Sequence, residues 1–186
     1  MVVALDLLSG MTEGLQAYVD QGRVAGSVAL VARRGKVIYL RAFGQRDRES
    51  ASPMRTDSIF RIASQSKGIT AVAAMMLVEE GKLSLTDPLH KFFPEFANSK
   101  VAVPRASGQG YDLIAARRPI NIRDLLLHTS GLGYGTGPGA DAWKEAGIQG
   151  WYFADRDEPI AATVAKMGPL PLDAQPGERW VYGYNL

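Results

Sequence analysis

Cysteine is absent from this 186-residue sequence, and histidine occurs only twice, as His90 and His128. The chain therefore has no disulfide bond, no thiol nucleophile and no thiolate zinc site, and nothing in it predicts a metal or another cofactor. The formal net charge is only +2, which does not provide the basic surface of a nucleic-acid-binding protein. No apolar run approaches the roughly 18 residues of a membrane span. The first residues also lack the features of a secretory signal, which favours a cytoplasmic location and leaves the compartment open.

The first third of the sequence predicts a helix followed by a β-hairpin. Residues 5–21 carry leucines at helical spacing, and the apolar content of the whole chain, 46%, is enough for a folded core. Two strand-like runs follow, Ser27–Arg33 and Lys36–Phe43, with the turn signal Arg34-Gly35 between them. The polar run Arg46–Ser50 predicts a solvated loop, which Pro53 and Asp57 continue.

Residues 64–80 form the strongest helical pattern, and the helix is apolar on every face. Such a helix is normally buried, so we expect neighbours on all sides of it. Residues 97–118 show no regular pattern and are expected to be irregular. Three shorter helices are predicted, at residues 88–93, at Ile122–His128 with Asn121 as its cap, and near residues 158–167. A hairpin alone is marginally stable, so we expect the remaining strands of the fold to lie beyond Leu186.

Ser64-Gln65-Ser66-Lys67 is an S-x-x-K sequence at the start of this long helix. Residues three positions apart share a helix face, so the Lys67 amine is expected to reach the Ser64 hydroxyl. A partly desolvated lysine has a lowered pKa, and a serine needs a base before it becomes a nucleophile. The alternative is that Ser64 only caps the helix and Lys67 is a solvated first-turn residue, since the bare motif often arises by chance.

Tyr182 is a second candidate, in the short aromatic segment after Pro176-Gly177. A tyrosine beside a lysine ammonium has a lowered pKa and can transfer protons. The alternative is a short aromatic cluster packed in the core, which the spacing alone favours.

Five segments resemble the serine β-lactamase and penicillin-binding-protein superfamily, and in particular its class C and family VIII carboxylesterase branch. They occur in the order of that family and span most of residues 24–182. The segments are Val28–Lys36, Phe60–Lys67, Gly81–Pro88, Ile122–Gly131 and Pro176–Tyr182.

The resemblance implies a role for each matching residue. Ser64 is similar to the acylated nucleophile of the family, and its backbone N–H to one half of an oxyanion hole. Lys67 resembles the proton acceptor, and Tyr182 resembles the tyrosine of the Tyr-x-Asn motif, a general base or acid. The implied reaction is acylation of Ser64 by an ester or amide, followed by hydrolysis.

Two departures from the family pattern affect this interpretation. The asparagine expected two residues after Tyr182 is Tyr184 here, and Asn185 follows it. This favours the esterase branch, and it leaves Tyr184 open as the functional tyrosine. The third motif of the family, which supplies the other oxyanion N–H, would lie after Leu186, so we expect no turnover by residues 1–186 alone.

The expected fold is α+β and β-lactamase/transpeptidase-like, with an antiparallel sheet flanked by helices beside an all-helical region, and this chain as its incomplete N-terminal portion. Residues 1–84 would begin the α/β domain, residues 85–170 would form the helical region, and residues 171–186 would return the tyrosine to the active site.

The predicted function is hydrolysis of a small-molecule ester or lactam. The first alternative is a β-lactamase or D-Ala-D-Ala peptidase. Two others are an inactive binding module and one half of a split enzyme whose C-terminal companion fragment completes the fold. Two further sequence signals do not predict a function. The Gly135–Ala140 segment lacks the preceding strand of a dinucleotide site, and His128 is expected to bond the last carbonyls of its helix.

Overall fold

The computed structural model describes residues 5–149 and 157–186 and separates the chain into two compact units, residues 1–62 and 63–186. Residues 150–156 of the predicted helical region, and residues 1–4 at the N-terminus, lie outside the described residues. None of the helices within the described ranges combines the length and apolar character that crossing a bilayer requires.

The first unit contains the predicted helix and hairpin. Helix α1 spans Leu5–Asp20, and strands β1 (Gly26–Arg33) and β2 (Lys36–Asp47) pair in antiparallel register. Arg34 and Gly35 both have positive φ, 52° and 73°, as a two-residue turn that matches the strand twist requires. The hairpin prediction is therefore confirmed.

The hairpin continues further than the sequence pattern predicts. Strand β3 (Ser52–Pro53) pairs with the end of β2, in a segment expected to be a loop. The Asp47 carboxylate accepts hydrogen bonds from the Glu49 N–H and the Ser50 hydroxyl and so closes the turn. The segment is short and polar, so it carries no alternating hydrophobic pattern that could have revealed the strand.

The described residues of the second unit form four α-helices and a second sheet. Helix α2 spans Ser66–Glu79, after a 3₁₀ turn at Ala63–Gln65, and two further 3₁₀ turns lie at Leu89–Lys91 and Pro94–Phe96. The remaining helices are α3 (Ile122–Leu126), α4 (Ala140–Glu145) and α5 (Ile160–Met167). The core of this unit is built on Trp143, Ile148, Ile120 and Leu172, each at most 1% exposed.

The expectation that residues 97–118 are irregular is wrong. Strands β4 (Lys100–Pro104) and β5 (Tyr111–Ala115) form an antiparallel pair. The Ala102 N–H donates to the Leu172 carbonyl at 2.9 Å, which attaches β4 to the core. This sheet depends on contacts with residues 70 positions away in sequence, and a local pattern cannot encode such contacts. Antiparallel sheets with helices are otherwise the α+β arrangement that the sequence predicts.

Helix α2 has the predicted position but not the predicted burial. None of its residues 66–79, all of which the structure describes, is buried, and Ile69 and Val72 are 66% and 63% exposed. The apolar residues of α2 indicate that burial would stabilise the helix. The rest of residues 63–186, as far as the structure describes them, do not bury it.

Candidate active site

Ser64 lies in the 3₁₀ turn that precedes α2, one residue before the helix N-cap. The cap residue is Gln65, and no side chain caps the helix, so the alternative in which Ser64 serves as the cap is wrong. The preceding Ala63 has φ 45°, a left-handed conformation that costs a residue with a β-carbon free energy. The Ser64 side chain is exposed.

Tyr182 is the residue at which the candidate side chains meet. Hydrogen bonding from the Ser64 hydroxyl is the largest cause that lowers the pKa of Tyr182 below its ordinary value of 10.0. Burial acts in the opposite direction. The positive charge of Lys67 and a hydrogen bond from Tyr134 add to the lowering, because each stabilises the phenolate.

Lys67 reaches the same tyrosine from the first turn of α2. Its Nζ lies 5.1 Å from the centre of the Tyr182 ring, within the range of a cation–π contact. The Lys67 side chain is half-buried, whereas Ser66 beside it is exposed. The S-x-x-K spacing and the distant tyrosine therefore come together in space, and the sequence singled out all three residues.

Two backbone hydrogen bonds hold residues 176–186, here called the tyrosine segment, against the loop after α3. The Val181 N–H donates to the His128 carbonyl and the Gly177 N–H donates to the Thr129 carbonyl, both at 2.7 Å. The loop begins where α3 ends, and α3 begins at the predicted Asn121 cap. The position of Tyr182 thus depends on a helix end that is remote in sequence.

Asn185 is a structural residue in this arrangement. It is 6% exposed, accepts a hydrogen bond from the Ser130 hydroxyl, and donates to the carbonyls of Leu132 and Val181. All its described polar contacts are to residues of the same unit. Asn185 lies one position later than the asparagine of the family pattern, and its side-chain amide links the C-terminal residues to the loop after α3.

Tyr184 lies on the other side of the segment, packed on the core. Its ring contacts Tyr134 in a T-shaped arrangement, with centroids 4.8 Å apart, and stacks on Trp143 with centroids 6.1 Å apart and the planes inclined by 27°. Burial and the neighbouring Tyr134 raise the pKa of Tyr184 to about 12. A phenol with this raised pKa stays protonated and therefore cannot accept a proton from a serine. The geometry favours Tyr182 over Tyr184 as the functional tyrosine.

An aromatic cluster surrounds Tyr182, as the alternative interpretation of the segment anticipated. The Trp180 ring stacks on it at 5.6 Å, and the Tyr134 ring meets it edge-on at 5.8 Å. The cluster is not a buried core, since Trp180 is 64% and Tyr182 is 37% exposed. The sequence patterns did not identify Tyr134 as a candidate. Its position in the loop that follows Thr129-Ser130-Gly131 is the feature that could have indicated it.

The glycines in the loop after Ser130 allow the loop to pack closely against Asp173. A β-carbon on Gly133 or Gly137 would lie 2.0 or 2.1 Å from a carboxylate oxygen of Asp173, so any larger residue there would force the Asp173 side chain to move. Burial raises the pKa of the Asp173 carboxyl, with the charge of Arg179 acting against it. Within the described ranges, no three histidine, aspartate or glutamate side chains gather in a way that could hold a metal ion.

Comparison with known proteins places the chain in a family. The Beta-lactamase family profile matches residues 12–184, and the chain belongs to that family. Esterase EstB of Burkholderia gladioli is 37% identical over 92% of this chain and 42% of its own length. Protein Rv1367c of Mycobacterium tuberculosis is 38% identical over 96% of this chain and 43% of its own length.

A solved structure shows the same fold. EstCE1, described as a hydrolase with promiscuous acyltransferase activity, superimposes with a TM-score of 0.78 and 32% identity. The superposition covers 98% of this chain and 45% of EstCE1. The chain therefore spans less than half the length of these relatives, and the resemblance inferred from the five sequence segments is confirmed at the level of family and fold.

Proposed function

We propose that this chain carries the nucleophile, Ser64, of a serine hydrolase that acts on small-molecule esters through an acyl-enzyme. The observation that carries the proposal is the convergence of Ser64 and Lys67 on the hydroxyl of Tyr182. The names of two relatives, an esterase and a hydrolase with acyltransferase activity, support the same reaction class.

In the proposed acylation step the Ser64 oxygen attacks the ester carbonyl, and its proton passes to the Tyr182 oxygen. The hydrogen bond from Ser64 and the positive charge of Lys67 lower the pKa of Tyr182, because both stabilise the phenolate that would accept this proton. Protonated Tyr182 then returns the proton to the leaving alcohol. Water attacks the acyl-enzyme in the second half of the cycle and restores Ser64.

Lys67 is the other candidate for the proton acceptor, as the family resemblance implies. Two substitutions separate the roles. Lys67→Arg keeps the positive charge but cannot accept a proton, whereas Lys67→Met removes the charge. If Tyr182 is the base, the arginine variant keeps measurable acylation and the methionine variant loses it. Equal loss in both variants would assign proton transfer to Lys67.

The esterase assignment is supported by the internal position of Asn185. This amide bonds to Ser130 and to two carbonyls, so it does not present the polar group that the family motif places two residues after the tyrosine. We therefore expect hydrolysis of p-nitrophenyl butyrate in preference to nitrocefin. Fast nitrocefin turnover without ester hydrolysis would instead indicate a β-lactamase or peptidase.

The decisive experiment is covalent labelling of the protein, expressed at its full natural length, with a fluorophosphonate probe. Peptide mapping should place the adduct on Ser64, and Ser64→Ala should abolish it. Ser66→Ala is the matched control, because Ser66 is exposed in the same motif and should leave labelling unchanged. Absence of an adduct, or an adduct on Ser66, would refute the proposal and favour an inactive binding module.

A further inference from the structure

His128 occupies an unusual backbone position at the end of α3. The Thr129 N–H donates to the Asp124 carbonyl and the His128 N–H to the Leu125 carbonyl, which together form a Schellman cap. His128 is the left-handed residue of this cap, with φ 56°, where glycine is the usual residue. The backbone therefore terminates the helix, and the imidazole is not needed to bond the last carbonyls, contrary to the sequence-based expectation.

The imidazole is directed at the tyrosine segment instead. Its ring centre lies 4.7 Å from that of Tyr182 and 6.0 Å from that of Trp180. The His128 carbonyl also accepts the 2.7 Å hydrogen bond from Val181, the residue before Tyr182. One residue thus holds both the backbone and the ring of the candidate base.

The electrostatic surroundings of the imidazole favour its uncharged form. Burial lowers the pKa of His128 below 6.5, and the charge of Lys67 lowers it further. The buried Nδ1 has no hydrogen-bond partner within the described part of the chain. Tyr182 faces the ring from the tyrosine segment. Asp124, on the side of α3, is already paired with Arg118.

We propose that His128 is a positioning residue, which holds Tyr182 against Ser64 and Lys67 through its ring and its carbonyl. This inference rests on the proposed function of Tyr182. Two consequences follow from the geometry. Loss of the ring should slow acylation without weakening the helix cap, and a second positive charge beside Lys67 should disturb the site in acid.

The first test compares acylation rates of the full-length protein with a fluorophosphonate. His128→Gly relaxes the left-handed backbone, keeps the carbonyl and removes the ring, so thermal stability should hold while the rate falls roughly threefold to tenfold, the scale of one lost aromatic contact. His90→Asn is the matched control, because the His90 Nδ1 is also buried without a partner among the described residues. The control should retain the wild-type rate.

The pH dependence of the same rate separates positioning from simple packing. The wild-type protein should lose activity through a transition below the ordinary histidine pKa of about 6.5, and His90→Asn should keep that transition. His128→Asn, which tolerates the left-handed backbone, should lack it. Wild-type rates and an unchanged acid limb in both His128 variants would overturn the proposal.

A readout that does not depend on catalysis keeps the two proposals distinguishable. The NMR ring signals of Tyr182, identified with Tyr182→Phe, should move as His128 titrates and should shift in His128→Gly. Insensitivity of these signals to both changes would refute the positioning role. Failure of Ser64 to label, with the Tyr182 signals still following His128, would reject the hydrolase proposal and support the contact.

Discussion

The Asp124 carboxylate is the buried partner of an ion pair in the second unit, and its removal should destabilise that unit. Asp124 is 4% exposed. It accepts two hydrogen bonds from the Arg118 guanidinium at 2.6 and 2.8 Å, one from the Asn121 N–H at 3.0 Å, and one from the Thr129 hydroxyl at 3.2 Å. The same carboxylate therefore joins the start of α3 to the loop that supports the tyrosine segment.

Asp124→Ala should lower the free energy of unfolding by about 2–4 kcal/mol. Removing one partner of a buried ion pair costs about 3–5 kcal/mol, because the remaining charge loses its compensation. The Arg118 side chain is 41% exposed, so water recovers part of that loss for the guanidinium. The Asn121 N–H and the Thr129 hydroxyl also lose their acceptor, which keeps the cost well above that of an exposed pair.

Urea unfolding followed by tryptophan fluorescence measures this loss, since Trp143 is 1% exposed in the core of the same unit. Asp112→Ala is the matched control. Asp112 pairs with Arg105 at 2.7 Å, but both side chains are more than half exposed, and such pairs contribute under about 1 kcal/mol. A cost for Asp124→Ala no greater than that of Asp112→Ala would refute the reasoning.

The stabilisation by Asp124 should also depend on pH in one direction. Burial alone would raise the pKa of Asp124, but the hydrogen bonds from Arg118, Asn121 and Thr129 and the charge of Arg118 outweigh it and leave the pKa below 3.8. The folded state therefore favours the carboxylate. Its contribution is complete above the unfolded pKa of about 3.9 and is lost as the pH falls through the lower folded value.

Four further substitutions test other parts of the structure. Asp173→Asn should raise stability at pH 7, and the gain should vanish near pH 4, because burial raises the pKa of Asp173 and the folded state disfavours its charge. Gly131→Ala should cost about 2–5 kcal/mol, since Gly131 has φ 87° and a β-carbon would lie 2.2 Å from the Ala174 carbonyl oxygen. Tyr182→Phe should slow labelling of the nucleophile by about 100-fold or more, whereas Tyr184→Phe should label almost normally.

The outcomes that contradict these expectations are equally specific. A lower melting temperature for Asp173→Asn at pH 7 would show that the carboxylate has a stabilising partner. A neutral Gly131→Ala variant would mean that the loop can shift away from Ala174. Slower labelling in Tyr184→Phe than in Tyr182→Phe would reverse the assignment of the functional tyrosine.

Much of the local structure was predictable because short-range patterns encode it. Leucine periodicity predicts α1, alternating apolar runs with Arg34-Gly35 predict the β-hairpin, and an asparagine before an apolar turn predicts the start of α3. The S-x-x-K sequence and Tyr182 were also visible. Their proximity was expected from the family resemblance, since no spacing rule joins residues more than a hundred positions apart.

The strands β4 and β5 were not predictable in this way. Strand β4 hydrogen-bonds both to β5 and to Leu172. It is therefore stabilised by residues outside its own local sequence. The apolar residues of α2 predict a buried helix, but Ile69 and Val72 are exposed within residues 1–186.

The sequence by itself determined the family, the early elements and the three candidate catalytic side chains. Only the tertiary structure decided that Tyr182 faces Ser64 while Tyr184 packs on Trp143, and that His128 contacts the tyrosine. The physical reason is that residues 180–186 form no regular helix or strand, so no periodicity assigns their side chains to a face. Their orientation comes from hydrogen bonds to the loop after α3, which is far away in sequence and close only after folding.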